Sequence, residues 1–243
     1  MEIDRFLELV RRRRSIRRFK TDPIPDEYVE KIIEAGRWAM SGANAQPWEF
    51  IVVKSPETKE KLAQAWFEIR KEQHVIEMTR VPELRHLELA RSPSIPGFIN
   101  APVLIAVCGD KRTLQATVLS ANYINGEGAS GGTYLKNMAN ATQNMHLAVA
   151  ALGLGSEWCS VPGGAEELKV ILNVPPLIDI HTIVAVGYPS YEPSPPYRRE
   201  LKEIVHYESY DRSRYRSGED IINFLHKLRE RIKPAYEQAY YQA

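Results

Sequence analysis

Three guanidinium groups and a hydroxyl fall within five residues near the start of the chain, at Arg13, Arg14, Ser15 and Arg17. Arginine forks match phosphate oxygens two at a time and serine adds a neutral donor, so the cluster suits a phosphate ester. The alternative is the solvated basic end of a helix. A second group, Ser41-Gly42-Ala43-Asn44-Ala45-Gln46-Pro47-Trp48, combines small residues with two carboxamides. Small side chains let a flat ligand approach the backbone, and Asn and Gln offer donors and acceptors to a heteroaromatic edge. The alternative there is an ordinary turn before a strand. A third group, Gly153-Leu154-Gly155-Ser156 with Trp158, Cys159 and Ser160, is no dinucleotide fingerprint, because its glycines close a helix rather than open one. Gly153 itself reads as a helix C-cap. The glycine-rich run 126–132 lacks the Lys-Ser/Thr of a P-loop and reads as a loop, a mobile cover or plain disorder, rather than a phosphate cradle. Arg198 and Arg199 follow a proline-rich approach and, taken alone, read as surface charge. The six histidines show no metal-ligand spacing, and His146 reads as a packed helix residue. No carboxylate pair or Ser/His/Asp arrangement stands out.

These groups need elements to position them. Ile3, Phe6, Leu7 and Val10 recur at helical spacing, which predicts an amphipathic helix over 3–13 ending in the basic run Arg11 to Arg14. A second helix is expected over about 26–40. Phe50 to Val53 predicts an apolar strand, and Ser55-Pro56 an N-cap opening a helix to about residue 72. Residues 73–100 read as a helix plus a charged surface excursion. Val103 to Val107 and Ile180 to Val186 read as buried strands. Tyr134, Met138, Ala141, Met145, Ala148 and Leu152 are spaced 4, 3, 4, 3, 4, so one face stays apolar for more than four turns. A short segment follows at 156–161, then an extended stretch at 189–200, and a final helix over 219–240.

The chain has 243 residues, 44% of them apolar and 26% charged, which suits one soluble globular domain that needs no metal or disulfide staple. A net charge of +1 leaves no global field for nucleic acid or an anionic membrane. Two cysteines cannot build a four-thiolate zinc site or a disulfide framework. The acidic start and the short apolar runs predict neither a signal peptide nor a membrane span, so a cytoplasmic location is expected.

In order and spacing the groups resemble the nitroreductase family of FMN-dependent oxidoreductases. The matching residues are Arg13-Arg14-Ser15-Ile16-Arg17, then Ser41 to Phe50, then Gln143-Asn144 leading into Ala150 to Ser156. Gly187-Tyr188-Pro189 with Arg198-Arg199 and Leu201 to Val205 completes the set, and the match covers about residues 5–206. The resemblance implies an α+β, nitroreductase-like fold with a central, mainly antiparallel sheet flanked by helices. It implies an intertwined homodimer, with tightly bound, non-covalent FMN at the subunit interface. Carried over by position, Arg13, Arg14, Ser15, Arg17 and Arg198 hold the phosphate and ribityl chain. Ser41, Gly42 and Asn44 border the isoalloxazine ring, and Cys159, Ser160 and Val161 lie near its reactive edge.

The long helix 133–152 would then be dimer core as much as monomer core. Residues 207–243, beyond the matched region, are expected to form a C-terminal extension of the single domain 1–243 that packs on the partner subunit. The implied activity moves electrons from NADH or NADPH to an electron-poor small molecule, such as a nitroaromatic or a quinone, in two steps. Because the flavin carries the chemistry, no catalytic acid, base or nucleophile is expected. Ser41-Gly42-Ala43 also resembles the flavin dehalogenase branch, which includes the iodotyrosine deiodinases and implies a reductive dehalogenase as the alternative. The lid glutamate of that branch, with a tyrosine four residues on, has no counterpart in 57–100. A flavin-binding module without turnover is the reading from another class.

Overall fold

The amphipathic N-terminal repeat forms helix α1 (Ile3–Arg12), with Asp4 in its first turn and Arg11 and Arg12 in its last, each sign matched to the nearer helix pole. Pro25 precedes α2 (Asp26–Arg37), whose first turn carries Asp26 and Glu27. Strand β1 (Trp48–Val53) leads into α3 (Pro56–Met78), where the Thr58 N–H donates to Ser55 Oγ at 3.3 Å and Pro56 opens the first turn. This helix runs past the expected end near residue 72, taking up the start of the charged excursion. Strand β2 (Val103–Asp110), helix α4 (Gly126–Ala151), strand β3 (Gly155–Ser160), the short helix α5 (Glu166–Ile171) and strand β4 (Ile178–Gly187) follow. Helices α6 (Leu201–Ile204) and α7 (Gly218–Tyr240) complete the chain. The computed structural model describes residues 2–82, 85, 86, 89–113, 126–161 and 166–240.

One expectation is corrected here. The glycine-rich run 126–132 is not a loop but the opening of α4. Each glycine weakens a helix by about 1 kcal/mol. Propagation of a helix already formed needs only one new hydrogen bond per residue, and the apolar stripe downstream supplies a strong nucleus for it.

The four strands form one sheet in the order β1-β2-β4-β3, antiparallel throughout, so the expected α+β architecture holds. Register pairs Phe50 with Val107, Ile105 with Val184, and Trp158 with Val184. One irregularity between Val107 and Cys108 sets Thr182 and Ile180 against consecutive β2 residues and leaves His181 as the extra residue of a bulge. Strand β2 is buried on both faces. On one face, Val103, Ile105, Val107, Val184 and Val186 pack against Met138, Ala141, Met145 and Val149 of α4, with Val29 and Ile32 of α2 closing the layer. Burying each such side chain stabilises the fold by roughly 1.5–3 kcal/mol. Helices α2 and α4 approach closely at Gly36, where a Cβ would lie 2.9 Å from Met145 Cγ.

By contact the chain divides into two compact units, one up to Ser190 and one from Tyr191. In the second, Gln238 of α7 accepts from the Ser194 N–H at 3.1 Å and donates to the Glu192 carbonyl at 2.7 Å. The Arg231 guanidinium lies 4.3 Å from the Tyr197 ring centroid, so α7 anchors the proline-rich run along its own side. No described helix is long and apolar enough to cross a membrane. Among the described residues no cluster of His, Cys, Asp and Glu could hold a metal ion.

Candidate functional site

The arginine segment is seated by three contacts. Arg12 donates from Nη2 to the Ala150 carbonyl at 3.1 Å, tying the end of α1 to the end of α4. Ser15 forms a parallel bridge with Ser156, and the Ile16 N–H donates to the Ser156 carbonyl at 2.9 Å. The segment therefore lies as a short rung along the open edge of β3. Ile16 turns inward, 3% exposed, and packs so tightly over Gly155 that a Cβ there would lie 2.6 Å from Ile16 Cγ1. Only glycine admits that approach. Alternation then turns Ser15 and Arg17 away from the side of Ile16. Arg17 Nε lies 3.5 Å from Glu157 Oε1, with both side chains largely covered. The expected C-cap is present as well, since Gly153 closes α4 at φ 75°.

Beneath this rung sits His146 of α4, 4% exposed, sharing a 2.7 Å hydrogen bond from Nδ1 with Ser156 Oγ. Trp158 stacks on its ring at 5.8 Å, and His181 meets Trp158 edge-on at 5.5 Å. Burial, aided by the positive charge of Arg13, pulls the imidazole down to about 4, so it is neutral at physiological pH. His146 is thus more than a packed residue. It fixes the strand to which the arginine segment is pinned.

The loop 41–46 is held in an unusual backbone state. Ala43, Asn44 and Gln46 all lie in the left-handed region, at φ 54°, 51° and 45°. Such residues cost about 1–3 kcal/mol each and persist only where the surroundings over-determine them. A row of asparagines on α4 grips α2, the residue before the loop and the loop itself. Asn144 donates to the Ala35 carbonyl at 3.1 Å, Asn140 donates to the Met40 carbonyl at 3.2 Å, and Asn137 Oδ1 accepts from the Gly42 N–H at 3.0 Å. Within the loop, Ser41 Oγ accepts from the Gln46 N–H at 3.1 Å. That Gly42 N–H fixes the Asn137 amide orientation, leaving its buried Nδ2 donor with no hydrogen-bond partner among the described residues.

Cys159 and Ser160 stand at the far end of β3, with Val161 just beyond. The Cys159 thiol is buried, and burial and the nearby Glu157 carboxylate push its pKa well up, away from the thiolate form. Its carbonyl accepts from Thr182 Oγ1 at 2.8 Å, and the Ser160 carbonyl accepts from Trp66 Nε1 at 3.4 Å. Arg198 belongs to the second unit, where Nη1 donates to the Tyr197 carbonyl at 2.8 Å.

Within the first unit, α4 therefore carries two predicted groups, the arginine segment near His146 and the 41–44 loop at Asn137. Nine residues of helix put about 14 Å between those two anchor points. Sequence reasoning missed Asn137, Asn140 and Glu157. The 3, 4 spacing of the three asparagines on one face of α4 was the available signal.

The nitroreductase family profile matches residues 10–188. The chain belongs to the nitroreductase family. It is 32% identical over 206 residues to the NADH dehydrogenase of Thermus thermophilus, covering 80% of this chain and 91% of that protein. To iodotyrosine deiodinase 1 of Rattus norvegicus it is 29% identical over 219 residues, covering 84% of this chain and 70% of the other. A crystal structure of oxidized iodotyrosine deiodinase bound to FMN and 3-iodo-L-tyrosine superposes with a TM-score of 0.67 at 25% identity, covering 84% of this chain and 99% of that one. The profile takes in the rung, the 41–46 loop, α4 and β3, and so spans the nitroreductase fold from the arginine cluster to the end of β4.

Proposed function

We propose that this protein is an FMN-dependent oxidoreductase that takes electrons from NADH or NADPH and delivers them to an electron-poor small molecule, such as a nitroaromatic or a quinone. The observation that carries this is the pinning of Ser15 and Arg17 to the edge of β3, which presents charged and neutral donors at a fixed place. The donor chemistry fits the proposed cofactor. Guanidinium groups suit its phosphate, and the orphaned Asn137 amide beside Gly42 matches a ligand rich in acceptors. An elongated molecule with an anionic tail and a planar head suits two anchor points about 14 Å apart on one helix.

In this assignment Arg13, Arg14, Ser15 and Arg17 hold the phosphate and ribityl chain, with Arg198 as a further phosphate ligand by its place in the motif order. The strained loop presents Ser41, the Gly42 backbone and Asn44 along the ring. The backbone of Cys159, Ser160 and Val161 borders its reactive edge, since the Cys159 thiol is turned inward. FMN, when bound, supplies the electron transfer itself, so the side chains bind, orient and exclude water. NADH or NADPH would serve as the electron donor and would leave before the acceptor takes its place. A homodimer completes the site, with residues 207–243 packing on the partner subunit. Exposed apolar residues on α1 (Ile3, Leu7, Val10) and after α2 (Trp38, Met40) support such a contact.

The first test is flavin binding. Arg17→Ala should weaken FMN affinity about 10- to 100-fold, the worth of a charge-assisted hydrogen bond. Unchanged affinity would remove the phosphate role. A second reading, a reductive dehalogenase, is favoured by Ser41-Gly42-Ala43 and the deiodinase relatives. Halide release from a halogenated phenol by the reduced protein, without turnover of nitroaromatics or quinones, would select it.

A further inference from the structure

The segment 159–161, given above to the reactive edge, has a neighbour on α3. Trp66 donates from Nε1 to the Ser160 carbonyl at 3.4 Å, and its ring meets the buried Phe98 edge-on at 6.0 Å. Those two contacts pin the indole beside Ser160, while Leu62, Ala63 and Ala65 bury the inner side of the helix. One turn further on, the Arg70 guanidinium lies 5.3 Å from the Trp66 ring centroid, and its Nη1 reaches Gln73 Oε1 at 3.5 Å. After another turn, His74 Nδ1 shares a 2.8 Å hydrogen bond with the Leu89 carbonyl, which ties the charged excursion back to the same helix. Residues 66, 70 and 74 are four apart, so they share one face of α3, and all three are half-buried.

Resting on the oxidoreductase reading above, we propose that Trp66 and Arg70 form the acceptor subsite and select planar aromatic acceptors that carry a carboxylate. The indole supplies a flat apolar wall next to the reactive edge, and offset or edge-on packing holds a second aromatic ring against it. A ring seated there brings one of its substituents level with the guanidinium one helical turn away. Arg70 presents a planar fork that matches a carboxylate two oxygens at a time, and its place over the indole steadies that fork. A neutral amide at the same position offers an acceptor oxygen without the charge, so it is held less tightly.

The test titrates the FMN-loaded full chain, with no NADH or NADPH present, with 4-nitrobenzoate and with 4-nitrobenzamide, following the flavin absorption spectrum. The parent should bind the acid about tenfold more tightly than the amide. Arg70→Gln should lose about tenfold for the acid and stay within about twofold for the amide. Arg70→Lys keeps the charge but not the fork, and its affinity for the acid should fall between those of the parent and Arg70→Gln. Trp66→Leu should weaken both ligands alike, by about 2- to 10-fold, and Trp66→Phe should keep most of that affinity. FMN affinity should stay within about twofold of the parent in all four variants. Equal affinities of the parent for acid and amide, or equal losses of both in Arg70→Gln, would overturn the proposal. A chain that takes up no FMN removes the oxidoreductase reading and this inference together, whereas a flavin-loaded chain without preference for the acid removes this inference alone.

Discussion

Acid should loosen this fold through His146, beginning at a pH above the ordinary carboxylate value of 4.5. In the native state its imidazole is pulled from 6.5 to about 4, burial being the larger cause and Arg13 the smaller. An unfolded chain binds that proton at the ordinary value. The stabilisation is therefore complete above about pH 6.5 and drains away as pH falls towards 4, at about 1.4 kcal/mol per pH unit, or about 3 kcal/mol over the whole interval. His181 is lowered by burial as well and adds a loss of the same sign. Carboxylates such as Glu34, held down to about 2 by Arg37 and Trp38, act below their ordinary 4.5 and leave the interval above it to the histidines.

The perturbation is His146→Leu. At pH 7.5 it should destabilise the protein by about 1–3 kcal/mol, because Ser156 Oγ loses its 2.7 Å partner inside the core. Between pH 6.5 and 4.5 the variant should lose clearly less further stability than the parent. The assay is urea unfolding followed by circular dichroism, on flavin-free protein at fixed concentration, at half-unit steps from pH 7.5 to 4.5. Parallel declines for parent and variant would refute the assignment of the acid sensitivity to this buried ring.

Two further outcomes follow from the backbone around the site. Gly155→Ala would place a methyl 2.6 Å from Ile16 Cγ1 and 3.0 Å from Pro189 Cγ, costing about 1–3 kcal/mol in a thermal melt and lifting the arginine segment off β3. Its FMN affinity should fall with its stability, and full retention of affinity would break the proposed link between rung and ligand. Ala43→Gly removes a side chain held at φ 54° and should raise the urea midpoint, by about 0.5–1 kcal/mol in stability. A lower midpoint would show that the loop is not strained there.

Helices α1 and α2 and the buried strands β2 and β4 were legible because their apolar residues repeat with one period over a long stretch. Strand β3 was not, since Trp158 and Cys159 sit among polar residues and its burial depends on partners far away in sequence. The short helices α5 and α6 carry too few turns to show a period. The start of α4 was hidden by its glycines, whose local preference yields to the helix that follows. In the site, Arg13 to Arg17 and Ser41 to Asn44 could be singled out from residue type alone. Asn137 and Glu157 could not, because an asparagine in a helix and an acid in a strand gain meaning only from what tertiary pairing sets opposite them.

The rung between Ser15 and Ser156 and the bridge between Phe19 and Pro189 act as a late-closing clasp. During synthesis the basic segment leaves the ribosome early, yet both of its seats belong to chain made more than half a protein length later. Premature release, or proteolytic loss of the stretch from β3 to Pro189, would leave the first-made residues unanchored. The proposed grip on a phosphate would then depend on completion of the stretch from the first helix to the last strand.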